Sequence, residues 1–434
     1  MLPYMKPTNS RQKPKMLYFM GINKRADIRE EELADSFNMS ASALPALEPR
    51  PSREVVATLV SPRALGSGEK RFWVDGTNFV YDGVVKGAVL AGAKSMVDFN
   101  GYVLIFPDKK YYDYVLDAFG ALGAGVYPVA GSVPDMDYVC VHQNRVFGCK
   151  GSEVYASANG QATNWTKFDG DELDSWAGDV YSEGNFTGMY PYQGVIVLTK
   201  DDFTYELYGK TPSEFSIVEV AKFGCIDNKS MQEVDGTLYW LSREGFRKYT
   251  GGIPRLMDQQ LNLPAYSSGA AGTDGRRYFC SLFDGSIYTL YVYDTQNRQW
   301  MIEDDLQVVE FTKLNGVCFA LASDGKLLQF NSGTEFINWS VTTKNFTDSS
   351  FNKKVNGRIR FRMDVAQGAS AKVSIRYDKS GAWVSSRVLE PGEFKVHIIE
   401  LRLKRCDSYQ IKVEGWGYAK IYEMEKELFF GSDR

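Results

Sequence analysis

The chain holds only two histidines, His142 and His397, and six cysteines, at positions 140, 149, 225, 280, 318 and 406, in 434 residues. Zinc chemistry needs three or four His, Cys or carboxylate ligands at close spacing, and the sequence offers no HExxH, no CxxC and no second histidine near either imidazole. A Ser-His-Asp or Cys-His relay has to use one of those two rings. His397 stands in VHIIEL, where alternation makes it an ordinary strand side chain. The scattered cysteines form no framework and read as reduced, buried thiols. Glycoside hydrolysis needs two carboxylates about 5 to 9.5 Å apart, and most aspartates here occupy turn sequences, their structural default. The expectation is no enzyme, no catalytic residue, no metal and no cofactor.

One row of charge invites a function. In GRIRFRMD, Arg358, Arg360 and Arg362 alternate with Ile359 and Phe361, so a strand presents three guanidinium groups on one face. The ordinary reading is a solvated outer face. The sharper one is a row that meets phosphate or an acidic surface on a neighbouring subunit. Residues 340–434 carry 18 Lys/Arg against 12 Asp/Glu, a balance of +6 in a chain of net charge −4, so the preceding residues are strongly acidic.

The elements that position these residues are β. An aromatic fraction of 14% with 26 Tyr, 26 Phe and 40 Gly favours strands and tight turns. No apolar run of about 18 residues predicts a membrane span. The N-terminus has no continuous apolar core of a secretory signal, so assembly inside a cell is expected. FNGYVLIFPDKKYYDY, HQNRVFGCKGSEVYAS, YQGVIVLTKDDFTYELYG, VDGTLYWLSREGFRKYTGG, TDGRRYFCSLFDGSIYTLYVYD and LNGVCFALASDGKLLQF each read as strand, polar turn, strand. Taking Asn100, Asn144, Gln193, Asp235, Asp274 and Asn315 as equivalent turns gives spacings of 44, 49, 42, 39 and 41. A period of this size is that of β-propeller blades, and six or seven fit before residue 335. Two consecutive sandwiches are the rival architecture. Ser157 to Trp165, SANGQATNW, resembles a sialidase Asp-box, a turn device at a blade corner, with Asn159 where an Asp would sit.

After Phe336 the long period gives way to six alternating segments, GRIRFRMD, AKVSIRYD, AWVSSRVL, FKVHIIEL, SYQIKVEG and YAKIYEMEKEL. They predict a small antiparallel β-sandwich with one wet face. SVTTKNFTDSSFNKK, rich in Ser, Thr and Asn, reads as the exposed boundary. The organisation expected is an N-terminal arm (1–17), an extended lead-in and propeller closure (18–54), an all-β propeller (55–335) and a C-terminal sandwich (336–434). In the lead-in, IREEELADSFNM has the look of a helix start, but a closed propeller needs a strand from one terminus. Ser36 to Met39 or the Val55–Ala57 run is placed to supply it. Pro45, Pro49 and Pro51 mark an extended connector.

The lead-in also carries a resemblance. Gly21-Ile22-Asn23, Glu32-Leu33, Asn38 and Pro45-Ala46-Leu47-Glu48-Pro49-Arg50 resemble the opening of bacteriophage packaged-DNA stabilisation proteins, the tail hub or nozzle proteins of short-tailed phages. VDGTNFVYDG, GYVLIFPDKKYY, the corner at 157–165 and RCDSYQIKVEGWGYAKIYEMEKEL look like that family too. The resemblance implies a structural virion protein of the phage tail, assembled in the host cytoplasm. It implies a homo-oligomeric ring, commonly a hexamer, below the portal and the head-tail adaptor, which closes the DNA channel after packaging and conducts DNA on ejection. Tail fibre, spike or plug proteins and non-specific double-stranded DNA are the implied partners, with no membrane. On this reading Arg358, Arg360 and Arg362 face DNA or an interface, and Lys6, Arg11, Lys13 and Lys15 form an assembly arm that orders on a neighbour, as against a frayed terminus. The alternative is a carbohydrate-binding or glycoside-hydrolysing β-propeller of a phage tail, in which Trp165, Trp176 or Trp240 stacks on sugar.

Overall fold

A computed structural model describes residues 11–123, 133–349, 353–378, 382–386, 388–400 and 404–430. Among the described residues, seven four-stranded antiparallel sheets follow one another as the blades of a β-propeller, which settles the count between six and seven. Blade one runs from Pro62 to Ala88, blade two from Ser95 to Ala121, blade three from Tyr138 to Asp179 and blade four from Phe186 to Ala221. Blade five spans Gln232 to Leu256 and blade six Ser268 to Ile302. Blade seven takes Val308–Leu314, Val317–Ala322 and Lys326–Gly333 from this end of the chain and its outermost strand, Ser52–Thr58, from the other. The closing register pairs Lys326 with Thr58, Leu327 with Ala57 and Leu328 with Val55. Of the two closure strands expected, the Val55–Ala57 run is the one used.

The turns taken as equivalent all follow the innermost strand of their blade. Asn100, Asn144, Gln193, Asp235 and Asn315 have positive φ, between 42° and 59°. Two-residue hairpin turns of this hand match strand twist, and Asn, Asp and Gly adopt them at least cost. The Asp-box-like stretch is the link between the third strand of blade three, Glu153–Ala156, and its last, Trp176–Asp179. Trp165 at its end is buried edge-on against Phe106 of blade two, ring centroids 6.4 Å apart.

The C-terminal residues form the expected sandwich, with additions from the N-terminus. One sheet orders Arg11–Gln12 and Lys15–Met16, then Ala419–Phe430, Lys354–Val365 and Gly392–Glu400. The other orders Leu33–Phe37, Asn338–Phe346, Tyr409–Trp416, Ser370–Tyr377 and Val384–Ser385. Two expectations fail here. The Ser/Thr/Asn-rich boundary is largely strand, because Trp339, Val341 and Thr343 alternate inward whatever the polarity between them. The arm is also misplaced: residues 11–16 lie on this chain's own sandwich, with Arg11 opposite Phe429 and Lys15 opposite Glu425. A two-residue strand needs only a free edge to pair with, and the long strand Ala419–Phe430 provides one. Ser36, the other closure candidate, sits in Leu33–Phe37 on the sandwich, and no α-helix forms among the described residues.

The lead-in straps the two parts together. Ile22 donates its N–H to Trp300 O at 2.8 Å, and Ser36 Oγ to Ile302 O at 2.8 Å, both on blade six. Leu47 and Ile421 exchange both backbone hydrogen bonds, at 2.9 and 2.8 Å, on the sandwich side. Gly21 allows the close approach, since a Cβ there would lie 2.5 Å from Trp300 O. Where the strap enters blade seven, Arg50 and Arg53 meet Glu303 and Asp304 in a buried cluster. Arg53 Nη2 is 2.8 Å from Glu303 Oε2, and Arg50 Nη2 is 2.9 Å from Asp304 Oδ2. Burial works to raise the Asp304 carboxyl, but Arg53 and Arg50 overcome it and hold the group below the usual range.

A carboxyl depressed in the fold contributes stability above its unfolded value, about 3.9, and loses it as pH falls through its folded value. Asp304→Asn is therefore expected to cost about 3 kcal/mol at pH 7, the lower end for removing one member of a buried pair because Glu303 remains. Its stability should fall less steeply than wild type below about pH 4. Denaturant titrations at both pH values check this, and parallel acid limbs would remove Asp304 from the account.

Candidate functional site

The innermost strands of the blades enclose an axial cavity of 830 Å³. Its walls carry Lys94, Asp98, Tyr138, Tyr190, Gln232, Lys229 and Glu310. The short turn Asn228–Ser230, which precedes blade five, reaches into the axis. Asn228 Oδ1 accepts from Met189 N of blade four at 2.8 Å, and Ser230 O accepts from Tyr278 Oη of blade six at 2.8 Å. Lys229 continues across to blade seven, donating to Val309 O at 3.0 Å with its ammonium 3.9 Å from Glu310 Oε2. Glu310 in turn accepts from Leu65 N of blade one at 2.9 Å. One short turn thus braces four blades.

Burial raises the carboxyls of Glu310, Asp98 and Asp227 above the ordinary range, which is the behaviour general acids need. Each is nevertheless committed to structure. Asp227 Oδ1 accepts from Lys229 N at 3.1 Å and its Oδ2 from Gly269 N at 3.3 Å, while Asp98 accepts from Tyr114 Oη at 3.2 Å. Lys94 is tied to Asp108 at 2.9 Å, both side chains 1% exposed. Neither histidine lines the cavity. His142 is half-buried beside Phe147 and His397 is buried in the sandwich, and burial lowers both imidazoles. The six cysteines are all buried and free, with burial raising every thiol, and among the described residues no group of His, Cys, Asp or Glu could hold a metal.

The arginine row lies on one outer face, as its alternation requires: Ile359 and Phe361 between them and Met363 after them are buried. Strand register decides what it meets. Arg360 stands opposite Glu425 and Arg362 opposite Glu423, and both guanidinium groups are ion-paired to those carboxylates. Lys15 reaches Glu425 from the other side at 3.8 Å. Arg362 also stacks over Phe394 at 4.7 Å, and Arg358 is exposed at the end of the row. The face is thus a ladder of alternating charge, and the row taken alone in the sequence as cationic is largely balanced by its neighbouring strand. Of the proposed arm, Lys13 and Lys15 are exposed, Arg11 enters the sheet through its backbone, and Lys6 lies outside the described residues.

Of the three tryptophans considered for sugar stacking, two are interior and Trp176 is half-buried. Trp240 is 0% exposed, donating to Gly224 O, Trp165 is buried, and Trp176 packs edge-on against Phe215 at 5.4 Å. The Lys229–Glu310 brace had no signal in the sequence, because its partners lie 81 positions apart and only ring closure brings them across the axis.

No protein-family model and no curated protein matches the chain. Among solved structures it is similar to the computationally designed Ika8 protein, at 12% identity, covering 73% of this chain and 96% of that one with a TM-score of 0.43. BamB from Moraxella catarrhalis gives 10% identity, 73% and 97% coverage and 0.41, and Hsv2 of Kluyveromyces lactis 10%, 79% and 100% and 0.40. Likeness at this level extends to neither activity nor partners.

Because the Glu310 carboxyl is raised, the ionised form is disfavoured in the fold and its cost grows as pH rises through the folded value. Glu310→Gln keeps an acceptor for Leu65 N and removes that charge. It is expected to melt above wild type at pH 7, with the gap closing towards pH 4. A variant that melts below wild type at pH 7 would mean that the Lys229 attraction outweighs burial.

Proposed function

We propose that this chain is a structural subunit of a short-tailed phage tail, forming a ring below the portal and adaptor that closes the DNA channel after packaging and conducts DNA on ejection. The observation that supports this most is the role of the residues carrying the resemblance. Gly21 makes the close contact with blade six, and Asn23 Nδ2 donates to Glu32 Oε2 at 2.8 Å. Leu33 and Leu47 fill the shared core, Asn38 takes positive φ and donates Nδ2 to Asn338 O, and Arg50 enters the buried charge cluster. These residues either brace the strap internally, as Asn23 and Glu32 do, or fix it to propeller and sandwich, so the motif suits this architecture.

A head-to-tail ring needs two different patches on each subunit. Two apolar ones are available. Blades one and two expose Val84, Val85, Val115 and Leu116 around the Lys86–Asp117 pair, with Val115 and Leu116 76% and 75% exposed. The sandwich exposes Phe394, Val396 and Ile398 along its edge strand Gly392–Glu400, on the same face as the arginine row and bordering it. Since the axial cavity is crossed by Lys229 and Glu310, the DNA path belongs to the centre of the ring. The alternating charge of the Arg360/Glu425 face suits that lining, because balanced charge lets a polyanion slide.

Light scattering on the purified chain is expected to give a closed ring, and the double change Val115→Asp with Leu116→Asp a folded monomer. A wild-type monomer at every concentration sinks the ring. Replacing Arg358, Arg360 and Arg362 together with Gln is expected to leave rings intact while altering genome retention in assembled particles. If rings fail to form instead, those arginines belong to the subunit interface.

A further inference from the structure

The sandwich sheet that begins with Leu33–Phe37 carries an outer groove of 460 Å³ that the ring reading does not use. Register sets its layout. Phe37 stands opposite Ser340, Ser340 opposite Glu414 and Glu414 opposite Lys372, while one row along Asn338, Trp416 and Ser370 are aligned. Two strand spacings and two residues separate Phe37 from Trp416, about 12 Å between their backbones. Both rings are open to solvent, at 40% and 44%. Trp416 is held by edge-on packing against Phe336, centroids 4.9 Å apart at 84°. Between the rings, Glu414 is clasped by Lys372 at 2.9 Å and by Lys412.

This combination selects its occupant. A flat apolar partner, whether lipid or protein, would strip water from three charges and offer them nothing in return. A free anion has no use for two exposed aromatic rings. A pyranose has both an apolar C–H face that lies on an indole and a rim of hydroxyls that donate to a carboxylate and accept from ammonium groups. The length suits two linked rings, and two lysines against one glutamate leave a surplus positive charge.

We propose that the groove between Phe37 and Trp416 binds a short oligosaccharide bearing a carboxylated sugar. Trp416 stacks on one ring, and Lys372, Glu414 and Lys412 hydrogen-bond the hydroxyls and carboxylate of the next. This places sugar recognition on the sandwich and not on the propeller, and it holds whether or not the chain forms a ring.

The test titrates the full chain with trigalacturonate and with neutral galactotriose, followed by tryptophan fluorescence and ligand-observed NMR. Trigalacturonate is expected to bind, with Trp416→Ala weakening it at least tenfold, Trp416→Phe retaining part of the affinity, and Lys372→Gln narrowing the preference over galactotriose. Unchanged melting of the variants separates lost contacts from lost fold. The proposal is overturned if neither trisaccharide binds, or if Trp416→Ala binds as tightly as wild type. Equal affinity for the two sugars overturns its acidic half.

Discussion

Four buried charges lock the N-terminal strap to the point where the propeller closes. Arg50 and Arg53 enter from the strap, Glu303 and Asp304 from the link between blades six and seven, and each side chain is 12% exposed or less. Such a cluster is costly to desolvate and is retained only when every member is paired. Its position explains its presence: Arg53 is the second residue of Ser52–Thr58, the strand that closes the propeller. The same ion pairs therefore anchor the strap and fix the register of the closing strand. Arg53 also lies over the Phe330 ring at 4.4 Å, tying the charges to the apolar interior of blade seven.

Around that anchor the apolar core is continuous from propeller to sandwich. Tyr278, Phe279 and Trp300 of blade six, Met16, Ile22, Leu33 and Leu47 of the N-terminal segment, and Trp339, Phe361 and Ile421 of the sandwich belong to one cluster. Blade five contributes Val234, Tyr239, Leu241 and Phe246 to the same cluster, while blades one to four pack in smaller clusters between neighbours, as radial repetition dictates. Blades one to four thus gain stability chiefly from adjacent blades. Blades six and seven are also held through the strap, so this side of the propeller and the sandwich should open together if they open at all.

The surface follows the same logic of pairing across strands. On one sandwich sheet, Lys15, the glutamates of Ala419–Phe430 and the arginines of Lys354–Val365 alternate in sign from strand to strand, and that part of the face is largely balanced. On the other, Glu414 is surrounded by lysines but flanked by open aromatic rings, which leaves hydrogen-bonding capacity for a ligand. Both arrangements use charged residues in strands. Register alone makes one a closed ladder and the other an open groove.

The elements were legible locally: the Asn-Gly and Asp-Gly turns, the blade period and the inward alternation in GRIRFRMD all depend on residues close in the chain. The sequence also pointed to a closing strand from the N-terminal side, either Ser36–Met39 or the Val55–Ala57 run, since ring closure leaves one blade incomplete. Tertiary structure decided everything that depends on register between distant strands. It assigned Ser36 to the sandwich and not to the propeller, and it placed Glu423 and Glu425 beside the arginines. It brought Lys229 to Glu310 across the axis, and it set Phe37 and Trp416, 379 positions apart in the chain, at two ends of one groove. Local periodicity states which face a side chain takes, but a one-residue slip between strands changes every neighbour it meets, and no local pattern encodes that choice.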